Sequence, residues 1–210
     1  MLQTYHQQIC HQALESFFSL RALNIIITAN LGQDALRNQF GHPEFHFDDN
    51  AFQAGNDYIA AQRQTVLDTL QSGVDADPAW QAFGRLIHAA QDFYAHSNYI
   101  QLWADAYPAG ELPEPAQIGA LDPEILQHPR LQSGKVYLWD WLAFIPGCYY
   151  LAYRLLPDDS HTHMNLDHPG RGPLFPYALA AAEKRTQYEF EQLRAQMPDE
   201  MQARFSDDRQ

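Results

Sequence analysis

The stretch that decides how this chain is read is Gly84–Tyr99, GRLIHAAQDFYAHSNY. His88, Asp92 and His96 stand at i, i+4 and i+8, so on an α-helix they drift by only about 80° and lie along one face. At about 1.5 Å of rise per residue the two histidines sit roughly 12 Å apart along the axis, whereas bonds from nitrogen to a metal ion are about 2 Å. One ion does not reach both. The spacing therefore predicts two or more neighbouring ions, with Asp92 as the bridging carboxylate and a histidine at each end.

The helix carrying these residues has a start signal at Asp77-Pro78, an N-cap followed by proline at the first helical position, and it is expected to run towards Ala104. Before it, apolar residues recur at helical spacing from Ala51 to Leu70 (Phe52, Tyr58, Ile59, Val66, Leu67, Leu70) and stop at Gly73. From Leu2 to about Ala29 a similar pattern predicts one long, largely buried first helix with His6 in its first turn. Between these lies an irregular segment, Asn30 to Asn50, broken by Gly32, Gly41 and Pro43. It carries Asp34, His42, His46, Asp48 and Asp49, a density of oxygen and nitrogen ligands that a structural loop does not need.

Downstream, Pro108, Gly110, Pro113, Pro115, Gly119 and Pro123 mark a long surface loop of the kind that often covers a site. The 21 mostly apolar residues from Val136 to Leu156 raise the question of a membrane span, but Asp140 and Pro146-Gly147 interrupt them. A buried hairpin or kinked helix is the favoured reading, with most of the segment's aromatic residues in the core. A polar turn, PDDSHTHMNLDHPGRG at 157–172, brings His161, His163, Asp167 and His168, and Pro176 opens a final long helix through Met197. No strand pattern or repeat is evident. The expected fold is all-α, a single-domain helical bundle over residues 1–198 with long loops and a multi-metal site between helices, followed by a C-terminal tail over 199–210.

Composition narrows the function classes. The chain has 210 residues, 46% of them hydrophobic, which is ample for one buried core. Thirteen Lys and Arg against 26 Asp and Glu give a net charge of −13, which argues against a nucleic-acid partner. Cys10 and Cys148 are too few for a disulfide framework and read as reduced core thiols. The N-terminal MLQTYHQQIC has neither a basic leader nor an apolar run, so the expectation is a cytoplasmic protein, or one exported as an effector without a leader.

The ordered series His6, Asp34, His46, His88-x3-Asp92 and His96 resembles the ligand series of the zinc-dependent phospholipase C family and of the related single-strand-specific zinc nucleases. The phrases HFDDN at 46–50, LIHAAQDFYAHSN at 86–98 and SHTHMNLD at 160–167 are similar to the heterokaryon-incompatibility C (HET-C) branch of that superfamily. The resemblance implies two or three Zn²⁺ ions. Asp34, His46, His88 and Asp92 would hold one, Asp92 would bridge to a second held also by His6, and His96 would join His163 and Asp167 around a third, with His161 as the competing ligand. It further implies hydrolysis of a phosphodiester in a phospholipid headgroup by zinc-bound hydroxide, with Asp34 orienting or deprotonating the water, possible action at a membrane surface, and no transmembrane segment. Its alternatives are a nuclease or phosphatase on the same scaffold, or a recognition or toxin module with structural zinc.

Overall fold

The computed structural model describes residues 1–207 apart from 36, 37, 39, 40, 74, 109, 141, 143, 144 and 146, and apart from the side chains of 149 and 152. Trp141, Phe144, Pro146 and the last three residues of the tail thus lie outside the described residues. Among the described residues eleven α-helices follow in order: α1 (Gln3–Leu14), α2 (Leu20–Leu31), α3 (Pro43–His46), α4 (Phe52–Gln71), α5 (Asp77–His96), α6 (Tyr99–Ala104), α7 (Pro123–Leu126), α8 (Tyr149–Leu155), α9 (His161–Met164), α10 (Phe175–Arg194) and α11 (Asp199–Ser206). Among the described residues there are only two isolated β-bridges and no strand, so the all-α expectation holds.

The helix α5 is the axis of the bundle. From Leu86 to His96 every residue is buried, including His88, Gln91 and Asp92 at 0% exposure. Over that half the helix has no solvent face, and α2, α4 and α10 all pack against α5. Gly84 makes the contact with α2 possible. A Cβ there would overlap the carbonyl oxygen of Ile26 and lie 2.9 Å from Ala29 Cβ, so any larger residue would force the two helices apart.

Several boundaries differ from the periodicity. The first helix is two, because Ser19 adopts an extended ψ and its hydroxyl accepts the Ala22 N–H at 3.1 Å, capping a new helix. The apolar pattern runs on through Phe17 and Phe18, which hides that break. Similarly, α5 stops at His96, where Ser97 turns extended and its hydroxyl bonds the Phe93 carbonyl. The helix begins at Asp77 itself, with Ala76 in the cap position. The proline-rich loop is tied to the bundle: Tyr94 and Tyr99 donate to the carbonyls of Ala120 and Gly119, and Lys184 to those of Ala116 and Ile118.

Two expectations need correction. The segment from Val136 to Leu156 is not a buried hairpin: Leu138, Trp139, Tyr150, Leu151 and Leu155 are all exposed. No helix among the described residues is long and apolar enough to cross a membrane. The second correction concerns residues 199–206, which form a helix rather than a tail and drive Phe205 into the core. Its ring packs on Phe18, Phe83 and Phe190, and its carbonyl accepts the Trp80 indole N–H at 2.7 Å. Phe205→Ala is expected to destabilise the domain by about 3–5 kcal/mol, read as a lower urea midpoint with an unchanged slope. A change within about 0.5 kcal/mol would mean that α11 is peripheral.

Candidate metal centre

Five side chains from four chain segments converge on Asp92. His6 comes from the first turns of α1, Asp34 from the 3-10 turn Gly32–Asp34 that follows α2, His46 from the end of α3, and His88 and His96 from α5 itself. The two carboxylate oxygens of Asp92 face different neighbours. Oδ1 lies 3.2 Å from His6 Nε2 and 3.8 Å from His96 Nε2, whereas Oδ2 lies 2.9 Å from His46 Nδ1 and 3.0 Å from His88 Nε2. The α-amino group of Met1 is 2.5 Å from Oδ1 and 3.0 Å from Asp167 Oδ1.

A strained turn aims the next two ligands. Phe47, Asp49 and Asn50 all have positive φ, at 57°, 55° and 57°, a region that costs a non-glycine residue about 1–3 kcal/mol. The cost is met by fixed partners: Asp49 N–H donates to the Gly134 carbonyl, Asn50 exchanges two bonds with Ser133, and Phe47 is buried against Gly55 and Phe93. The result turns His46 and Asp48 inward on either side of Phe47. Gly134 also lets the backbone of His161 pass where a Cβ would stand only 2.6 Å from His161 Cα. His161 Nδ1 then lies 2.9 Å from Asp48 Oδ1, and His96 Nδ1 lies 3.4 Å from the same oxygen.

Two sets of ligand atoms result, each with all members within 4.8 Å of one another: His6, Asp34, His88 and Asp92 in the interior, and Asp48, His96 and His161 nearer the surface. Asp167 adjoins the outer set, 3.3 Å from His96 Nε2. The outer set opens into a cavity of about 220 Å³ that Asp34 and His46 also line. A tetrahedral ion with bonds of about 2.0–2.1 Å holds its ligand atoms roughly 3.3 Å apart. Around the inner set the observed separations of 3.2, 3.0 and 3.7 Å bracket that value. The donor chemistry, imidazole with carboxylate, also suits zinc and neighbouring transition ions.

Charge states follow from burial and proximity. Burial would raise the pKa of Asp92, but the Met1 amino group, His96, His88 and His6 outweigh it and hold the carboxyl well below the usual range. Asp34 goes the other way: burial raises it, and the nearby Asp92 carboxylate adds to the rise. Burial pushes His88 well below its ordinary value, against the pull of Asp92, which keeps its ring neutral, as a metal ligand must be. For His96 burial is outweighed by Asp92 and Asp48, and its pKa lies well above the ordinary value. Asp48 is depressed despite burial, by His161 and His96.

Of the residues singled out in the sequence, His6, Asp34, His46, His88, Asp92, His96, His161 and Asp167 are brought together. His163 is not: its Nε2 meets the Tyr153 carbonyl at 2.7 Å and its ring lies against the Tyr153 ring. The helix α9 is a single turn, so residues two apart point to different sides, and His161 takes the inward position. Asp48 is the candidate ligand that sequence reasoning passed over. It stood in the HFDDN cluster, but nothing in the sequence alone separated it from Asp49, which caps the Val136 backbone instead.

Residues 3–118 match the family model described as the VWA7 N-terminal domain, which is more than half of the chain. The chain belongs to the VWA7 N-terminal domain family. Human von Willebrand factor A domain-containing protein 7 is 32% identical over 130 residues, which cover 59% of this chain and 14% of that protein. The mouse protein of the same name is 32% identical over 105 residues, or 47% of this chain and 12% of the relative. No solved structure matches the chain. These findings correct the resemblance to zinc-dependent phospholipase C and HET-C proteins, because the matched region holds His6, Asp34, His46, His88, Asp92 and His96, the residues on which that resemblance rested. The phosphodiesterase, nuclease and toxin readings fall with it, as do the phospholipid substrate and the catalytic roles drawn for Asp34 and Asp92. Short histidine and aspartate phrases on helices encode a ligand geometry, which unrelated activities and families share.

In this VWA7 N-terminal domain the folded pKa of Asp34 is the higher one, so its ionised form is less favourable in the fold than in the open chain, a cost absent at low pH that grows as pH rises above the unfolded pKa. Asp34→Asn is therefore expected to stabilise the ion-free protein, raising Tm at pH 7 by about 2–4 °C for each kcal/mol relieved. Calorimetry in chelator would check this, and a lower Tm would show that the carboxylate is itself a stabilising partner.

Proposed function

We propose that this domain is a divalent-metal-binding module that takes zinc at two adjoining centres. The observation that supports the reading best is the inner set: His6, Asp34, His88 and Asp92, drawn from α1, the 3-10 turn and α5, place nitrogen and oxygen donors within 4.8 Å of one another inside the bundle. His6 Nε2 is buried there without a hydrogen bond, since its approach to Asp92 lacks hydrogen-bond geometry. An unpartnered buried nitrogen beside a buried carboxylate is costly unless a cation stands between them. His46 would flank this centre, and Asp48, His96, His161 and Asp167 would hold the outer one. Zinc bound there would supply fixed divalent charge and a template for four to five donors.

The chain's own residues define what binding does. His6 belongs to α1 and His88 and Asp92 to α5, so the inner centre fastens the N-terminal helix to the bundle axis. The outer centre joins the strained turn at 47–50 to α9, two elements otherwise held by backbone bonds at Gly134 and Lys135. Binding is therefore linked to the folding of the N-terminal and late segments rather than to a surface loop.

Protein loaded with zinc and freed of excess metal should contain two zincs per chain by elemental analysis. At zinc concentrations about 100-fold above the Kd, Tm should rise by roughly 5–10 °C. Asp92→Asn should retain less than one zinc, whereas His163→Ala should retain two. Absence of bound zinc in the natural protein, or full zinc in Asp92→Asn, would overturn the reading.

A further inference from the structure

Beside the inner centre lies a buried polar chain that the ligand set does not use. Thr186 on α10 donates its hydroxyl to the Ala182 carbonyl at 2.9 Å, so its oxygen is left to accept. Gln91 Nε2 donates to that oxygen at 3.0 Å and also approaches Cys10 Sγ at 3.8 Å. The other end of the same amide, Oε1, accepts from Asn30 Nδ2 at 3.2 Å and meets His6 Nδ1 at 2.6 Å. Gln91, Asn30, Thr186 and His6 are all 0% exposed, so this chain of bonds is closed to bulk solvent.

The logic of donors and acceptors runs one way. A backbone carbonyl is only an acceptor, so Thr186 donates to it; Thr186 then accepts, so Gln91 presents its NH₂ to Thr186 and its oxygen to His6. An amide oxygen is only an acceptor, so His6 must carry its proton on Nδ1. Reversing the Gln91 amide would require the Asn30 amide, the Thr186 hydroxyl and the His6 proton all to invert together. With Nδ1 protonated, the neutral ring has its lone pair on Nε2, the atom 3.2 Å from Asp92 Oδ1.

From this we infer that Gln91 is a positioning residue that locks His6 in the Nδ1–H tautomer and presents Nε2 to an ion shared with Asp92. The inference rests on the metal-binding reading for its purpose, but the tautomer is a property of the protein with or without the ion. The adjacency of Gln91 and Asp92 on α5 explains how one helix turn serves both sides of the ring: Asp92 faces Nε2 while Gln91 holds Nδ1. Outer partners of this kind typically change metal affinity by about 10–100-fold when removed.

The test uses the full chain with ¹⁵N-labelled histidine, in chelator and with one and two equivalents of zinc. Two-bond ¹⁵N–¹H correlations would identify the protonated nitrogen of His6, and competition with a chromophoric chelator would give zinc affinity. The expected result is Nδ1–H in both states, with Nε2 shifting on zinc addition. Gln91→Leu should lose the single tautomer and bind zinc about 10–100-fold more weakly, while Gln91→Glu, which keeps the acceptor, should retain both. Circular dichroism on each variant separates loss of fold from loss of the relay, and Thr186→Ser, which keeps the hydroxyl, should behave as the natural chain. His6 protonated on Nε2, or a Gln91→Leu variant that folds and keeps both tautomer and affinity, would overturn the inference. If the natural chain binds no zinc yet shows Nδ1–H lost in Gln91→Leu, the metal-binding reading fails while the lock on the tautomer stands.

Discussion

A carboxylate with no exposed surface, Asp92, sits on the central helix of this bundle, and most of the fold answers to its desolvation. Moving a lone carboxylate out of water costs several kcal/mol even after relaxation, so an ionised Asp92 persists only with positive or donor groups around it. Its neighbours supply them from both sequence directions: the Met1 amino group from the N-terminal segment, His46 from the loop, and His88 and His96 one turn away on the same helix. Helix α5 is thus both the hydrophobic axis and the polar axis of the molecule. Its buried apolar residues run along the whole helix, Trp80, Phe83, Leu86 and Ile87 before His88, and Phe93 and Tyr94 between Asp92 and His96.

Close packing at Gly84 brings α2 against α5, and the 3-10 turn that follows α2 carries Asp34 to the centre. At the other side three non-glycine residues with positive φ surround Asp48, and each is fixed by a backbone or aromatic partner. A turn without a task at this position would be free to use glycine, whereas side chains at Phe47, Asp49 and Asn50 each anchor one edge of it. A second buried charge cluster, Glu189 and Arg185 on α10 with Arg63 on α4, stands apart from the Asp92 cluster. It holds α4 to α10 and offers no ligand atom to the centre.

The helices α4, α5 and α10 were legible because each sustains apolar periodicity for some five turns between clear breakers. The split between α1 and α2 was not, since Phe17 and Phe18 continue the apolar pattern across a break made by one serine cap. The helix α11 is too short for periodicity, and its anchor, Phe205, is recognisable only from the ring cluster it completes. Within the centre, residues spaced on a long helix could be placed from sequence because helical geometry fixes their directions. Those on turns could not: whether Asp48 or Asp49, and His161 or His163, faces inward depends on φ at single residues and on the close approach allowed by Gly134. Family membership was the least legible of all, because a ligand pattern constrains spacing while identity over the matched region reflects the whole framework.

The two sets of ligands differ in what holds them when no ion is present. In the inner set His88 is a neutral ring in a dry interior and its companions stand on helices that pack through apolar side chains, so the geometry survives on packing alone. In the outer set Asp48, His96 and His161 hold one another through charge, with both turns pinned by backbone bonds to the 133–135 segment. A protonated His96 there supplies the positive charge that the Asp48 and Asp92 carboxylates need, whereas at the inner set the neutral His88 leaves that part to the Met1 amino group. One carboxylate, Asp92, touches both sets, so its charge ties the buried helix axis to the outer turns as well as to the N-terminal segment.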